Sequence, residues 1–173
     1  KRFPANIIAI TNIDLLKHRA NILKKKVNIV KVNINDNNLP SKSNDDIYVH
    51  DLNEANKVKI GKPSIKHVPL ILKSLDLAIA SCINNLADAF VTGPVQKSTI
   101  MEYGVEFSGH TEYIGLKCGS EPIMMLHTER LKIALLTTHV PLSEVPKLIT
   151  KKRLESYIEI ISKDLIDKFG ANN

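Results

Sequence analysis

Ala89-Phe90-Val91-Thr92-Gly93-Pro94-Val95-Gln96-Lys97 decides how the rest of the chain is organised. Four residues of strand type run into a Gly-Pro turn, and polar residues suited to opening a helix follow. The segment predicts a strand over residues 89–92 whose exit puts Gly93 where backbone can come close to a ligand. Upstream, Gly61-Lys62-Pro63-Ser64 reads as a turn with Ser64 as N-cap, and Pro69 falls in or near the first helical turn. Ile65, Val68, Leu72, Leu75, Ile79, Ile83 and Leu86 then recur at helical spacing, so one face of that helix must be buried. A helix delivering the chain into a strand is the unit of an α/β fold.

The same alternation extends in both directions. Residues 7–10 are a short apolar run, 14–23 read as a helix and 27–32 as a strand rich in β-branched residues, which makes a β-α-β opening. Residues 33–46, rich in Asn, Asp and Ser with Pro40, read as a surface loop, and 47–49 as a weak strand. Downstream, 123–126 and 133–136 are strands. A closing helix over 150–169 buries Leu154, Ile158, Ile161 and Leu165 and stops at Gly170. The pattern predicts a layered α/β/α fold with a mixed or mainly parallel sheet, with residues 1–173 forming one α/β region. In such sheets ligands gather beyond the carboxyl ends of strands. Three stretches read as strand exits of this kind: the Gly93 turn, Phe107-Ser108-Gly109-His110-Thr111-Glu112, and Leu135-Leu136-Thr137-Thr138-His139-Val140-Pro141-Leu142.

Composition narrows the functional classes. The charge is +6, from 24 basic and 18 acidic residues, which suits an anionic ligand. Only 5% of residues are aromatic, none is Trp, and the lysines are dispersed, which argues against a nucleic-acid surface. Cys82 and Cys118 make neither a disulfide framework nor a metal-ligand spacing, so a reducing cytoplasm is the expected compartment. The most apolar helix is interrupted by Lys73 and Asp76, and the start of the chain carries no signal-peptide pattern, so no membrane association is expected.

Residue by residue, His139 at a strand end is either a divalent-metal ligand or a histidine satisfied by backbone hydrogen bonds. His110 and Thr111, beside Gly109 and ahead of Glu112, either present donors to an oxygen-rich ligand or cap their own helix. Lys97 and Gly93 either approach a phosphate or form an ordinary connection with Lys97 in solvent. His18, His50 and His67 read as exposed or capping residues. Neither the G-x-G-x-x-G fingerprint nor a phosphate-loop lysine motif is present.

Taken together, T-G-P-V-x-K, F-x-G-H-T-E, M-M-L-x-T-E-x-L and T-T-H-x-P-L occur in one order, at residues 92–97, 107–112, 124–131 and 137–142. In this the chain resembles the 4-hydroxythreonine-4-phosphate dehydrogenase family of vitamin B6 biosynthesis. The resemblance implies an isocitrate/isopropylmalate dehydrogenase-like fold and the NAD-dependent oxidation and decarboxylation of 4-phosphooxy-L-threonine. It makes His139 a ligand of a divalent metal (zinc, magnesium or cobalt), with one further ligand from the same subunit and one from a dimer partner. It gives His110 and Thr111 substrate contact, and it implies a cytoplasmic homodimer.

The chain departs from the family pattern at Gln96, where the family has His, and at His127, where the family has a small residue. Its opening at Lys1-Arg2-Phe3-Pro4 lacks the family's Gly- and Pro-rich first strand, and family members continue about as long again past Asn173. The chain therefore reads as part of a larger two-domain enzyme and is expected to be inactive alone. A dehydrogenase for a four-carbon sugar-acid phosphate, a non-catalytic dimerisation domain and a basic polyanion-binding module are the competing readings.

Overall fold

Three short runs of β-branched and apolar residues pair as a parallel sheet in the computed structural model, which describes residues 5–36, 46–54 and 58–171. β1 (Ile8–Thr11) leads through α1 (Ile13–Ile22) to β2 (Asn28–Val32), and β3 (Asp46–Asp51) then inserts between them, giving the order β1-β3-β2. Ile8 faces Tyr48 in register on one side, and Val30 faces Tyr48 on the other. The weak strand expected at 47–49 is thus the centre of the sheet, with Val49 fully buried and Tyr48 nearly so. Its flanking acids hide this role from a hydrophobic pattern, because they serve the ends of the ladder. Asp46 accepts from the Asn28 side-chain amide, and Asp51 accepts from the Ile13 N–H at 3.2 Å, satisfying a donor at the start of α1. The loop expected over 33–46 lies mostly outside the described residues, as do the opening residues 1–4 and the end at 172–173.

Asp51 also takes the Asn53 N–H at 3.2 Å and the Lys31 ammonium at 3.2 Å. Burial opposes its charge, but the Asn53 N–H, the Ile13 N–H and Lys31 together outweigh that and hold the carboxyl below its ordinary value. An acid held low in the folded state stabilises it above the ordinary carboxylate range, and that contribution is lost as pH falls through the folded value. Asp51→Asn is expected to cost about 1 kcal/mol at pH 7. In urea titrations the difference from the parent should shrink below about pH 4; a pH-independent difference would contradict this account.

The expected long helix appears as a 3₁₀ turn (Ile65–His67), capped by the Ser64 hydroxyl, running into α2 (Val68–Ile83) with Pro69 in its first turn. The Ser74 hydroxyl donates to the Ile10 carbonyl at 3.1 Å and fastens α2 to β1. Val68, Leu75 and Ile79 are buried as the spacing requires, whereas Ile65 and Ile83 at the ends are exposed. After α2 come α3 (Lys97–Glu102) and α4 (His110–Cys118). Val68, Leu75 and Ile79 form one core with Ile100, Phe107 and Tyr113, flanked by Leu72, Phe90 and Val95.

Residues 89–92 are not a strand, which corrects the sequence reading. The composition is right, but a strand requires partners for its N–H and C=O groups. Among the described residues none pairs with this segment, and Val91 is 98% exposed. Gly93 is therefore not a strand exit, and neither is the 107–112 stretch, which ends the connection from α3 and forms the first turn of α4.

The chain falls into two compact units, Lys1–Cys118 and Gly119–Asn173. In the second unit β4 (Met124–His127) and β5 (Lys132–Leu135) pair antiparallel, Met124 against Leu135. The short α5 (Val145–Leu148) precedes α6 (Lys151–Phe169), capped by the Thr150 hydroxyl and closed by Gly170 at φ +63°. The stripe expected to be buried on α6 is only partly so: Leu154 and Ile158 are exposed, and the buried residue is Tyr157. Helical spacing identifies an apolar face but not what covers it. Within the described residues no helix is long and apolar enough to cross a membrane.

Candidate functional site

Lys97 opens α3 directly after Gln96, whose backbone is extended and whose side-chain amide donates to the Ser98 hydroxyl at 3.2 Å. Gly104, at φ +95°, terminates α3 and turns the chain back, a conformation that favours glycine. The returning segment inserts Phe107 into the core, where it is 2% exposed. The Gly109 carbonyl then accepts the Tyr113 N–H at 3.1 Å and begins α4.

His110 is therefore the first residue of that helix, and its ring meets Phe107 edge to face at 5.6 Å. Thr111 follows, exposed. Gly109 is buried, and a Cβ added to it would lie 2.7 Å from Glu112 Oε2 and 3.5 Å from Lys97 Nζ. The structure thus brings the Lys97 ammonium and the Glu112 carboxylate to Gly109, at the start of α4, where His110 and Thr111 follow in sequence. A primary ammonium, an imidazole, a hydroxyl and the N-terminal N–H groups of a helix suit an oxygen-rich ligand, and the Glu112 carboxylate beside Lys97 offsets part of the positive charge there.

Gly93 stands apart from this grouping. It is exposed, and a Cβ there would meet nothing within 4 Å, so packing within the chain does not account for glycine at this position.

The direction of α4 is set by a tie to α2. The Tyr113 hydroxyl donates to Asp76 Oδ1 at 2.7 Å, and Lys117 Nζ reaches the same oxygen at 2.9 Å while lying 5.2 Å from the centre of the Tyr113 ring. Burial, reinforced by the bond to Asp76, pushes the Tyr113 hydroxyl pKa up, and the bond to Asp76 raises that of Lys117. The second unit repeats the device. Tyr157 donates to Glu121 Oε1 at 2.7 Å, and Arg153 binds the same oxygen at 3.0 Å with its guanidinium 5.3 Å from the Tyr157 ring centre. Sequence reasoning singled out neither tie; the traceable signal is a cation four residues from a tyrosine on a helix.

His139 lies in the second unit, four residues beyond the end of β5, exposed, with φ +55°. A histidine in the left-handed region is backbone strain of the kind concentrated at functional positions. No three His, Cys, Asp or Glu side chains among the described residues come together as a metal-binding group. An exposed imidazole fits one place in a ligand set that other polypeptide would complete. Of the remaining histidines, His50 accepts the Ile34 N–H through Nδ1 at 3.1 Å, and His67 Nδ1 is shielded from solvent without a hydrogen-bond partner among the described residues.

A family model described as pyridoxal phosphate biosynthetic protein PdxA matches residues 4–173. The chain belongs to the PdxA family. A relative from Methylococcus capsulatus named 4-hydroxythreonine-4-phosphate dehydrogenase is 34% identical over 168 residues, covering 97% of this chain and 51% of that protein. One of the same name from Vibrio cholerae is 41% identical over 136 residues, 78% of this chain and 41% of that protein. The PdxA-family chain spans about half the length of the curated relatives it matches along most of its length.

Among solved structures, a 4-hydroxythreonine-4-phosphate dehydrogenase from Burkholderia phymatum aligns with TM-score 0.82 at 20% identity, over 92% of this chain and 48% of that one. One from Klebsiella pneumoniae aligns with TM-score 0.79 at 20% identity, over 93% and 49%. These likenesses show the layered α/β fold in the PdxA-family chain.

Proposed function

We propose that the polypeptide containing this chain is an NAD-dependent dehydrogenase that oxidises the secondary alcohol of 4-phosphooxy-L-threonine, after which the β-keto acid loses CO₂, in pyridoxal phosphate biosynthesis. The family match over residues 4–173 carries the reading. It is supported by the grouping of Lys97, His110 and Thr111 around the start of α4, which suits a substrate bearing a phosphate and a carboxylate. In this reading His110 and Thr111 hold and orient the substrate, and Lys97 supplies a compact positive charge beside them. The hydroxyl proton leaves to a base that none of the residues assigned here provides, and NAD⁺ supplies the hydride acceptor. His139 is one ligand of a divalent ion (zinc, magnesium or cobalt), whose contribution when bound is Lewis-acid polarisation of the alcohol oxygen. The assembly is a cytoplasmic homodimer, in keeping with the exposed apolar side chains Leu154 and Ile158 on α6.

The deciding experiment follows NADH formation by the complete gene product with 4-phosphooxy-L-threonine and, separately, with four-carbon sugar-acid phosphates. Turnover confined to the first substrate by the complete product, with none from the 173-residue chain, is the expected result. Preference for a sugar-acid phosphate, or no turnover of either, would overturn it.

A further inference from the structure

His110 stands at one end of a relay of contacts whose other end is an acid on a different helix. Its ring lies against Phe107 at 5.6 Å and 83°, and Phe107 lies against Tyr113 at 5.4 Å and 43°. Tyr113 sits three residues after His110, on the same face of α4. Its hydroxyl ends on Asp76, a carboxylate in the middle of α2, and Lys117 grips that carboxylate from one turn further along α4. Phe107 is 2% and Tyr113 9% exposed, so neither ring can shift without moving its neighbours.

We propose that Tyr113, held by Asp76 and Lys117, is a positioning residue for His110, setting through Phe107 the placement of the imidazole that meets the substrate. The inference rests on the reading that His110 contacts the substrate. Both bonds to Asp76 involve a charged partner and run from α4 to α2, so they fix the roll of α4 about its axis as well as its distance from the core. Phe107 transmits that roll to the His110 ring. Catalytic constellations demand placement within about 0.5 Å, which a single loosened tie is enough to spoil.

The test is a double-mutant cycle in the complete gene product, with NAD⁺ and 4-phosphooxy-L-threonine at 25 °C. Tyr113→Phe keeps the ring against Phe107 and removes only the hydroxyl. It is expected to raise KM about 5- to 10-fold with little change in kcat, and to add nothing further in a His110→Ala background. Lys117→Gln, at an exposed side chain that folding tolerates, should move KM in the same direction by less. Tyr157→Phe breaks the matching tie in the other unit and should leave KM unchanged. The NMR shifts of the His110 ring protons, which require no turnover, should move in Tyr113→Phe and stay put in Tyr157→Phe.

If His110→Ala raises KM but Tyr113→Phe leaves it unchanged, or multiplies it equally in both backgrounds, the positioning role is wrong and the substrate site stands. If His110→Ala leaves KM unchanged, the substrate site itself is wrong and the inference falls with it.

Discussion

In the complete gene product, on the reading that His139 is a metal ligand, His139→Gly is expected to make the protein more stable and at the same time to lose bound metal and turnover. His139 holds φ +55°, a conformation that costs an L-residue roughly 1–2 kcal/mol. Glycine adopts it freely but gives back about 0.5–1 kcal/mol through the greater freedom of its unfolded chain. The balance favours the glycine variant by up to about 1.5 kcal/mol, or up to about 3–6 °C in melting temperature for a chain of this size. His139→Ala keeps the strain and loses the imidazole, so it should melt near the parent.

Both variants should lose bound metal, and kcat should fall by at least about 100-fold, since even groups that only support a ligand cost 10- to 100-fold when removed. Melting is measured with chelator present, so that lost metal binding does not mask the relief of strain, and elemental analysis gives the metal content directly. A glycine variant that melts below the parent and retains full metal would show that His139 is an ordinary turn residue.

Phe107→Ala is expected to be the most damaging single truncation near the site. Phe107 is 2% exposed and belongs to the core of Val68, Leu75, Ile79, Ile100 and Tyr113. Emptying that volume should cost about 3–5 kcal/mol, a large share of the roughly 5–15 kcal/mol that holds a typical domain together. The first unit should then unfold at markedly lower denaturant.

Phe107→Leu separates packing from function. It fills most of the volume, so its cost should stay below about 1.5 kcal/mol, but it has no ring for His110 to rest on. It should therefore fold and still raise KM. Urea unfolding of both variants, with steady-state kinetics on the leucine variant, checks this; an alanine variant as stable as the parent would mean the core closes over the gap.

The legible parts of the fold were those where local pattern and tertiary outcome coincide. β1, α1 and β2 fall within a residue or two of their expected limits, and α6 begins and ends on its Thr150 and Gly170 caps. β3 was underrated because its ends are acidic for reasons visible only when Asp51 is seen bonded to Ile13, 38 residues away. Residues 89–92 were overrated because apolar, β-branched composition states a capacity to pair, whereas pairing depends on a second strand.

The same distinction holds at the site. Lys97, His110, Thr111 and His139 stood out because their short motifs carry them, and Lys97 does meet the start of α4. Gly93 stood out for the same reason, yet nothing crowds it. Of the residues that hold the start of α4 in place, Phe107 entered only as the head of a motif and Asp76 only as an interruption of an apolar helix, while Tyr113 and Lys117 were not singled out. Asp76 and Tyr113 are 37 residues apart, and no local pattern links them.

The unladdered segment at 89–92 bears on how this polypeptide must be handled. A segment of strand-type composition that pairs with nothing among the described residues leaves its N–H and C=O groups open to another chain, and native proteins normally shield unpaired strands with charge, proline or a covering element. Here Pro94 guards only the far end, and Val91, 98% exposed, stands before it in the open. Colloidal behaviour then becomes a property of concentration as well as of sequence. The chain expressed alone is then most exposed to self-association while it is being made and concentrated, and a polypeptide that covers this segment would act as solubiliser and as structural partner in one step.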